Sequence, residues 1–407
     1  MNLFGLSRLG PVVLSFVLWM AAVCGSSGND EISLSMDMEE DGPPVLYIGL
    51  MVHLEAHPST TRAEHETYRD QIMSYADLFD EFGAKPTWEA KEPIVDCIRY
   101  NDPYLKVLEN RGHGVGVHAD LGGNPGIDLT LEQMTSELAE KRVELAWQGV
   151  SVRHVSGICS HLDWVQAALD AGYEFVTGVV DYCTQSIRPV PEPYAHCTSA
   201  SECHDPYGST MADRMHPWRA RTSLWTQPDP GGELIILPSA TVGLPHLEPD
   251  PGVARLTMGD VDQYMINLEE ALALVEPTQV NTFFLLWSYG PALNQAVMRE
   301  WLTRIEPYIA EGTVAWKTLP EMVDTYLAWE RAQQKITSVS VQSDGIVTIE
   351  WQPIGLNYTL EETTSLLLPA WSTVEGSWPE ATNTWSGDIS TGDAERYFRV
   401  VSQEQDL

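Results

Sequence analysis

The stretch Val45–Pro58 (VLYIGLMVHLEAHP) constrains this chain more than any other. Val45, Leu46, Tyr47, Ile48, Leu50, Met51 and Val52 form a nearly unbroken apolar run, which suits a parallel strand covered on both faces. The run stops abruptly at His53, Glu55 and His57. In open and barrel α/β folds, chemistry collects at the carboxyl ends of strands. His53 and Glu55 are two residues apart, so an extended backbone points both to one side. An imidazole and a carboxylate converging there can hold a divalent metal. A strand that simply runs into a polar loop is the plainer account of the same letters.

The text that follows alternates between helix and strand. Arg62–Gly83 has helical spacing, with Tyr68, Ile72, Tyr75, Ala76 and Phe79 on one face and Gly83 as a C-cap. Lys85–Ala90 reads as a short strand, 103–111 as a helix and Gly114–His118 as the next strand. A long amphipathic helix over 129–149 takes Asp128 or Thr130 as its cap. Strands are expected over 152–158, 174–180, 233–238, 280–289 and 313–319, with helices over 162–172, 259–275, 291–312 and 320–334. This alternation predicts a parallel α/β architecture. It fails between Asp181 and Gly232, a stretch rich in Pro, Cys, His and Tyr that reads as a lid or as a disulfide-tied ornament. From Ile336 to Val401 short alternating runs separated by turn residues predict an antiparallel sandwich. There Trp351 is expected in the core, while Trp378 and Trp385 are open to stacking on sugar rings.

The N-terminus carries Arg8 and then the apolar run Val12–Val23, shorter than a membrane span and followed by small residues. It reads as a signal peptide over 1–25, with an acidic flexible linker over 26–43. The protein is therefore expected to be secreted or periplasmic, lipid attachment through Cys24 being the lesser alternative. Export permits disulfides among Cys97, Cys159, Cys183, Cys197 and Cys203. The odd number leaves at least one thiol unpaired, and spacing does not settle the pairing. One bridge within 183–203 is expected; a zinc site of Cys197, Cys203 and His204 is the rival. A net charge of −35 argues against nucleic acid and anionic membrane as partners.

The order of elements over roughly 44–330 resembles the polysaccharide deacetylase (NodB-homology) family of carbohydrate esterases. Gly112-His113-Gly114-Val115-Gly116-Val117-His118 is similar to that family's metal-histidine motif, with His118 in the first ligand place. His113 matches a packing position. The second ligand place holds Gly122, for which Asp120 is the natural substitute. The first motif, normally two acids, reads His53-Leu54-Glu55. The third, normally Arg-x-Pro, is replaced by 156–163, where His161 stands at the strand end. Asp181 ends the next strand, where the family often keeps an acid, and Leu285-Leu286-Trp287-Ser288 lacks the family's late histidine.

The resemblance implies an irregular (β/α)7 barrel over 44–334, followed by a small all-β sandwich over 335–407. It implies a divalent metal, zinc first among the choices, held by His53, Glu55 and His118. Asp120 would be a further ligand or base, His161 the proton donor and Asp181 an additional acid. The expected function is metal-dependent hydrolysis on a polysaccharide or oligosaccharide, as in a deacetylase. A glycoside hydrolase using Glu55 or Asp120 with Asp181 is the second reading. A carbohydrate-binding protein that kept the fold and lost the reaction is the third.

Overall fold

The computed structural model describes residues 44–55, 59–121, 129–200, 202–238, 257–288 and 294–333, and strand segments between 335 and 402. The signal and linker expectations for 1–43, together with His57, Gly122 and Trp378, lie outside these residues. The chain divides into two compact units, with the boundary between Trp329 and Glu330.

The first unit runs β1 (Leu46–Leu54), α1 (Arg62–Glu81), β2 (Thr87–Ala90), α2 (Glu92–Tyr100), α3 (Tyr104–Asn110), β3 (Gly114–His118) and α4 (Leu131–Trp147). It continues through β4 (His154–Ser156), α5 (Trp164–Asp170), β5 (Phe175–Thr177), β6 (Trp218–Ala220) and β7 (Leu234–Leu237). It ends with α6 (Met258–Ala273), β8 (Asn281–Ser288), α7 (Gln295–Glu311), β9 (Val314–Trp316) and α8 (Leu319–Ala332). The helices start where the sequence supplies caps. Thr61 with Glu64, Thr130 with Gln133 and Thr257 with Asp260 each form reciprocal capping boxes that satisfy otherwise orphaned N–H groups.

The strands form one sheet in the order β6-β7-β5-β4-β3-β2-β1-β8, with β9 also paired to β1. Every pairing is parallel except β6 with β7. The expected barrel is thus a mostly parallel α/β sheet whose ladder is open between β6 and β8 among the described residues. Chain just before β6 reaches across instead: Thr282 N–H donates to the Met215 carbonyl at 2.7 Å, and His216 Nδ1 lies 3.1 Å from the Val280 carbonyl.

Apolar side chains fill both faces. On one, Met51, Phe175, Ile235, Leu237 and Phe284 pack against Leu319, Met322, Val323 and Tyr326 of α8. On the other, strand residues such as Val52, Val117 and Ile236 join helix residues including Phe79, Leu105 and Trp164 in the larger core. The α8-covered face also carries the polar side chains described below, because strand parity aligns them. Met51 and His53 alternate with Val52, and Thr87 and Glu89 with Trp88.

The 181–232 stretch is more ordered than its composition suggests. It contains β6, short 3-10 turns and the Cys197–Cys203 disulfide, and a second disulfide, Cys159–Cys183, ties it to the segment after β4. Among the described residues Cys97 is the unpaired thiol; it is buried, and burial pushes it up to about 12. The rival zinc site of Cys197, Cys203 and His204 is corrected by this pairing, since two sulfurs bonded to each other are no longer thiolate ligands.

The second unit holds two three-stranded antiparallel sheets. One joins β10 (Lys335–Val341), β11 (Ile346–Gln352) and β14 (Thr384–Asp388); the other joins β12 (Tyr358–Thr363), β13 (Ser372–Thr373) and β15 (Tyr397–Ser402). Trp385, expected to be open, is 6% exposed and meets Phe398 of the other sheet at a ring separation of 5.7 Å. It is core, not a stacking platform.

Candidate metal centre

Sheet register explains how distant residues meet. His53 of β1 lies beside Glu89 of β2, Glu89 beside Gly116 of β3, and His118 beside Ser156 of β4. Registered neighbours in a parallel ladder share a face, so these side chains project together near the strand ends.

His53, Glu55 and His118 present ligand atoms that all lie within 4.8 Å of one another. The His118 Nε2 atom is 3.1 Å from Glu55 Oε2, and His53 Nδ1 is 3.8 Å from Glu55 Oε1. The two imidazoles stack at 3.8 Å between centroids. Their other nitrogens are also engaged. His118 Nδ1 is 2.9 Å from Ser156 Oγ, and His53 Nε2 is 3.1 Å from Glu89 Oε2. Two imidazoles and one carboxylate form a donor set suited to zinc or a similar divalent ion. The outward nitrogens of both rings already have orienting partners, as the ligands of built metal sites do. The residues therefore fit a divalent metal.

Glu89 is fully buried. An isolated ionised carboxylate there would be costly. Ser156 Oγ donates to its Oε2, and Thr177 Oγ1 donates to its Oε1 at 2.9 Å. His154 Nε2 stands 3.2 Å from the same Oε1, an ion-pair distance without the alignment of a hydrogen bond. Burial pushes Glu89 up, but His154 and His53 outweigh it and hold the carboxyl below its ordinary value. Burial, then the neighbouring His118, lowers His53, so its neutral form is favoured. That is the form that ligates metal.

The other expected site residues are placed differently. Asp120 sits just beyond His118 with a left-handed φ of 48°, and its carboxylate is 2.6 Å from Lys91 Nζ. Burial disfavours the Lys91 charge, yet Asp120, Glu92 and Glu55 together raise it above the ordinary lysine value. His161 is exposed after β4, and its carbonyl accepts from Arg188 at 3.1 Å. Asp181 begins the insertion; burial and then Asp205 raise it, while Arg214 and His196 act the other way. The structure thus gathers His53, Glu55 and His118 into one cluster, and sets Asp120 beside Lys91. The charged neighbours of Asp181 come from the insertion.

Glu89, Ser156, Thr177 and His154 are not singled out by motif reading. One signal existed for Glu89: a charge between Trp88 and Ala90, in a strand too short to reach solvent, needs buried partners. His113 is a packing residue, as expected. It accepts from Trp88 Nε1 at 3.1 Å and faces Asp80 at 3.3 Å.

Fold and cluster together define a parallel α/β protein with a histidine–carboxylate centre at its strand ends. No family model matches the chain. Among solved structures, it is similar to one described as a polysaccharide deacetylase from Mycobacterium smegmatis, at 13% identity and TM-score 0.45, covering 74% of this chain and 96% of that one. It is similar to a 4-alpha-glucanotransferase from Thermococcus litoralis at 15% identity and TM-score 0.44, covering 69% and 40% of the two chains. It is also similar to a family 4 acetyl xylan esterase from Clostridium thermocellum, solved with a cobalt ion, at 11% identity and TM-score 0.33, covering 68% and 91%.

Proposed function

We propose that this protein is an exported, divalent-metal-dependent hydrolase acting on acylated carbohydrate, with deacetylation as its reaction. The observation that carries the reading is the convergence of His53, Glu55 and His118 within 4.8 Å at the carboxyl ends of β1 and β3. These three residues would hold the ion, zinc being the first choice for two imidazoles and a carboxylate. When bound, such an ion supplies a Lewis acid for an acyl carbonyl and a water.

The remaining tasks fall to the chain. Asp120, restrained by Lys91, is the candidate base for the water's proton. The leaving group needs a proton donor. His161 is one candidate, and Asp181, whose carboxyl is raised, is the other. Export agrees with the two disulfides, which persist in oxidising compartments. A formal charge of −35 favours a neutral or cationic glycan over a polyanion.

The test combines metal content with product release. Purified wild-type protein and His118→Ala are incubated with zinc, dialysed and analysed for metal, then assayed for acetate release from acetylated xylan and chitin oligosaccharides. Near-stoichiometric zinc and acetate release in the wild type, both lost in the variant, support the reading. Reducing sugar without acetate would replace it with glycoside hydrolysis. No zinc uptake by the wild type overturns it.

A further inference from the structure

We infer that Glu89 is the positioning residue of this centre: through the Ser156 hydroxyl it sets which ring nitrogen of His53 and of His118 carries a proton. The inference rests on the metal reading above for its purpose, but the hydrogen-bond geometry stands by itself.

The argument is a count of protons. Ser156 has one hydroxyl hydrogen and gives it to Glu89 Oε2. Its oxygen is then only an acceptor. In the neutral ring, which has a single N–H, the His118 Nδ1 atom, 2.9 Å away, carries it to satisfy this acceptor, and Nε2, 3.1 Å from Glu55, is then bare. On the other ring, His53 Nε2 approaches both Glu89 Oε2 at 3.1 Å and Ser156 Oγ at 3.3 Å. Neither oxygen has a hydrogen to offer, so Nε2 carries one and Nδ1 is bare. The two bare nitrogens, His118 Nε2 and His53 Nδ1, are the ones nearest Glu55. Lone pairs facing a carboxylate at these distances repel unless a cation lies among them. Glu89 thereby orders two histidines on different strands into one cation-accepting set.

A second layer holds Glu89 itself. Thr177 donates to Oε1, and His154 approaches the same atom from the adjoining strand. The His154 ring is fully buried and stacks on Phe175 at 4.7 Å. It reaches Glu89 only because residue 116 is glycine: a Cβ there would come within 2.1 Å of His154 Nε2. The glycine of the Gly-Val-Gly-Val-His run is thus part of the centre's support.

The experiment reads tautomers directly. Wild type and Glu89→Gln are labelled with nitrogen-15, stripped of metal by chelation and examined at about pH 8.5, above the ordinary imidazole range. Side-chain nitrogen shifts are expected to show His53 as the Nε2–H form and His118 as the Nδ1–H form in the wild type. In Glu89→Gln the amide can donate to Ser156, whose hydroxyl then turns to His118, and the His118 proton moves to Nε2. Zinc and cobalt affinities, by titration calorimetry, should fall about 10- to 100-fold in this variant. Unchanged tautomers and affinity in a folded Glu89→Gln protein overturn the inference.

Ser156→Ala reads the same ordering without touching the buried charge. There His118 should lose its Nδ1–H preference while His53 keeps its Nε2–H. A His118 signal identical to wild type overturns the inference. If wild type binds neither ion yet shows the expected tautomers, the metal reading fails and the ordering by Glu89 stands.

Discussion

β3 has a buried histidine at each end, His113 just before it and His118 as its last residue, and the two have opposite surroundings. His113 accepts a hydrogen bond from Trp88 and faces Asp80, itself held by Lys85 and Arg111. His118 meets a carboxylate, a hydroxyl and a second imidazole. Burial lowers His113 to about 4, with Lys85 and Arg111 adding to it and Asp80 opposing. One end of the strand is finished by packing. At the other, the donors converge on each other and not on apolar neighbours. Residue type alone does not separate these roles; the end of the strand does.

The largest expected difference between the two ends is in metal. His118→Ala should weaken zinc binding by more than about 100-fold, since even an outer partner of a ligand is worth 10 to 100. His113→Ala should leave metal content at the wild-type level; equal losses in both would erase the contrast. Elemental analysis after dialysis decides.

Next in size is the support beneath His118. Glu89→Ala leaves the Ser156 and Thr177 hydroxyls and the His53 N–H without their buried acceptor, and orphaned buried donors cost about 1 to 3 kcal/mol. Urea unfolding at neutral pH measures it, and a loss below about 1 kcal/mol would mean that Glu89 carries no structural charge.

The His113 end is expressed in pH. Its pKa is lower folded than unfolded, so the unfolded chain binds the extra proton between about 6.5 and 4. Stability from its neutral form is full above about 6.5, declines as pH falls and levels off near 4. His113→Gln should flatten this slope in the unfolding midpoint. A slope unchanged by the substitution would place the acid sensitivity elsewhere.

The smallest effect concerns Asp120. Its φ of 48° is unfavourable for an ordinary residue by roughly 1 to 2 kcal/mol, and glycine removes that strain. Asp120→Gly also removes a partly exposed ion pair with Lys91 worth about 0 to 1 kcal/mol. The net stability change should stay within about 1 kcal/mol, while acetate release falls if Asp120 is the base. Full activity in a stable Asp120→Gly protein would exclude that role.

Much of this was readable from sequence where a residue announces itself by its own surroundings. The apolar run of β1 named its strand, and the polar letters after it named His53 and Glu55. Likewise Gly114–His118 was legible as a strand closed by a histidine. Residues whose meaning depends on a neighbouring strand were not. Ser156 and Thr177 are small hydroxyl residues in short strands, and nothing local shows that both point at one carboxylate. That knowledge needs the order and register of β2, β4 and β5. The partner of Cys159 was hidden for the same reason, as was the burial of Trp385, which needs a second sheet to cover it.

The fit between Gly116 and His154 carries a consequence for how such sequences can vary. The space denied to a side chain at one position is the space taken by an imidazole at the other. The two positions cannot drift independently: a relative with alanine or larger at the first must carry something smaller at the second. A family of sequences should show this as a coupled exchange between two strands, and Gly116→Ala combined with His154→Ala should fold better than Gly116→Ala alone.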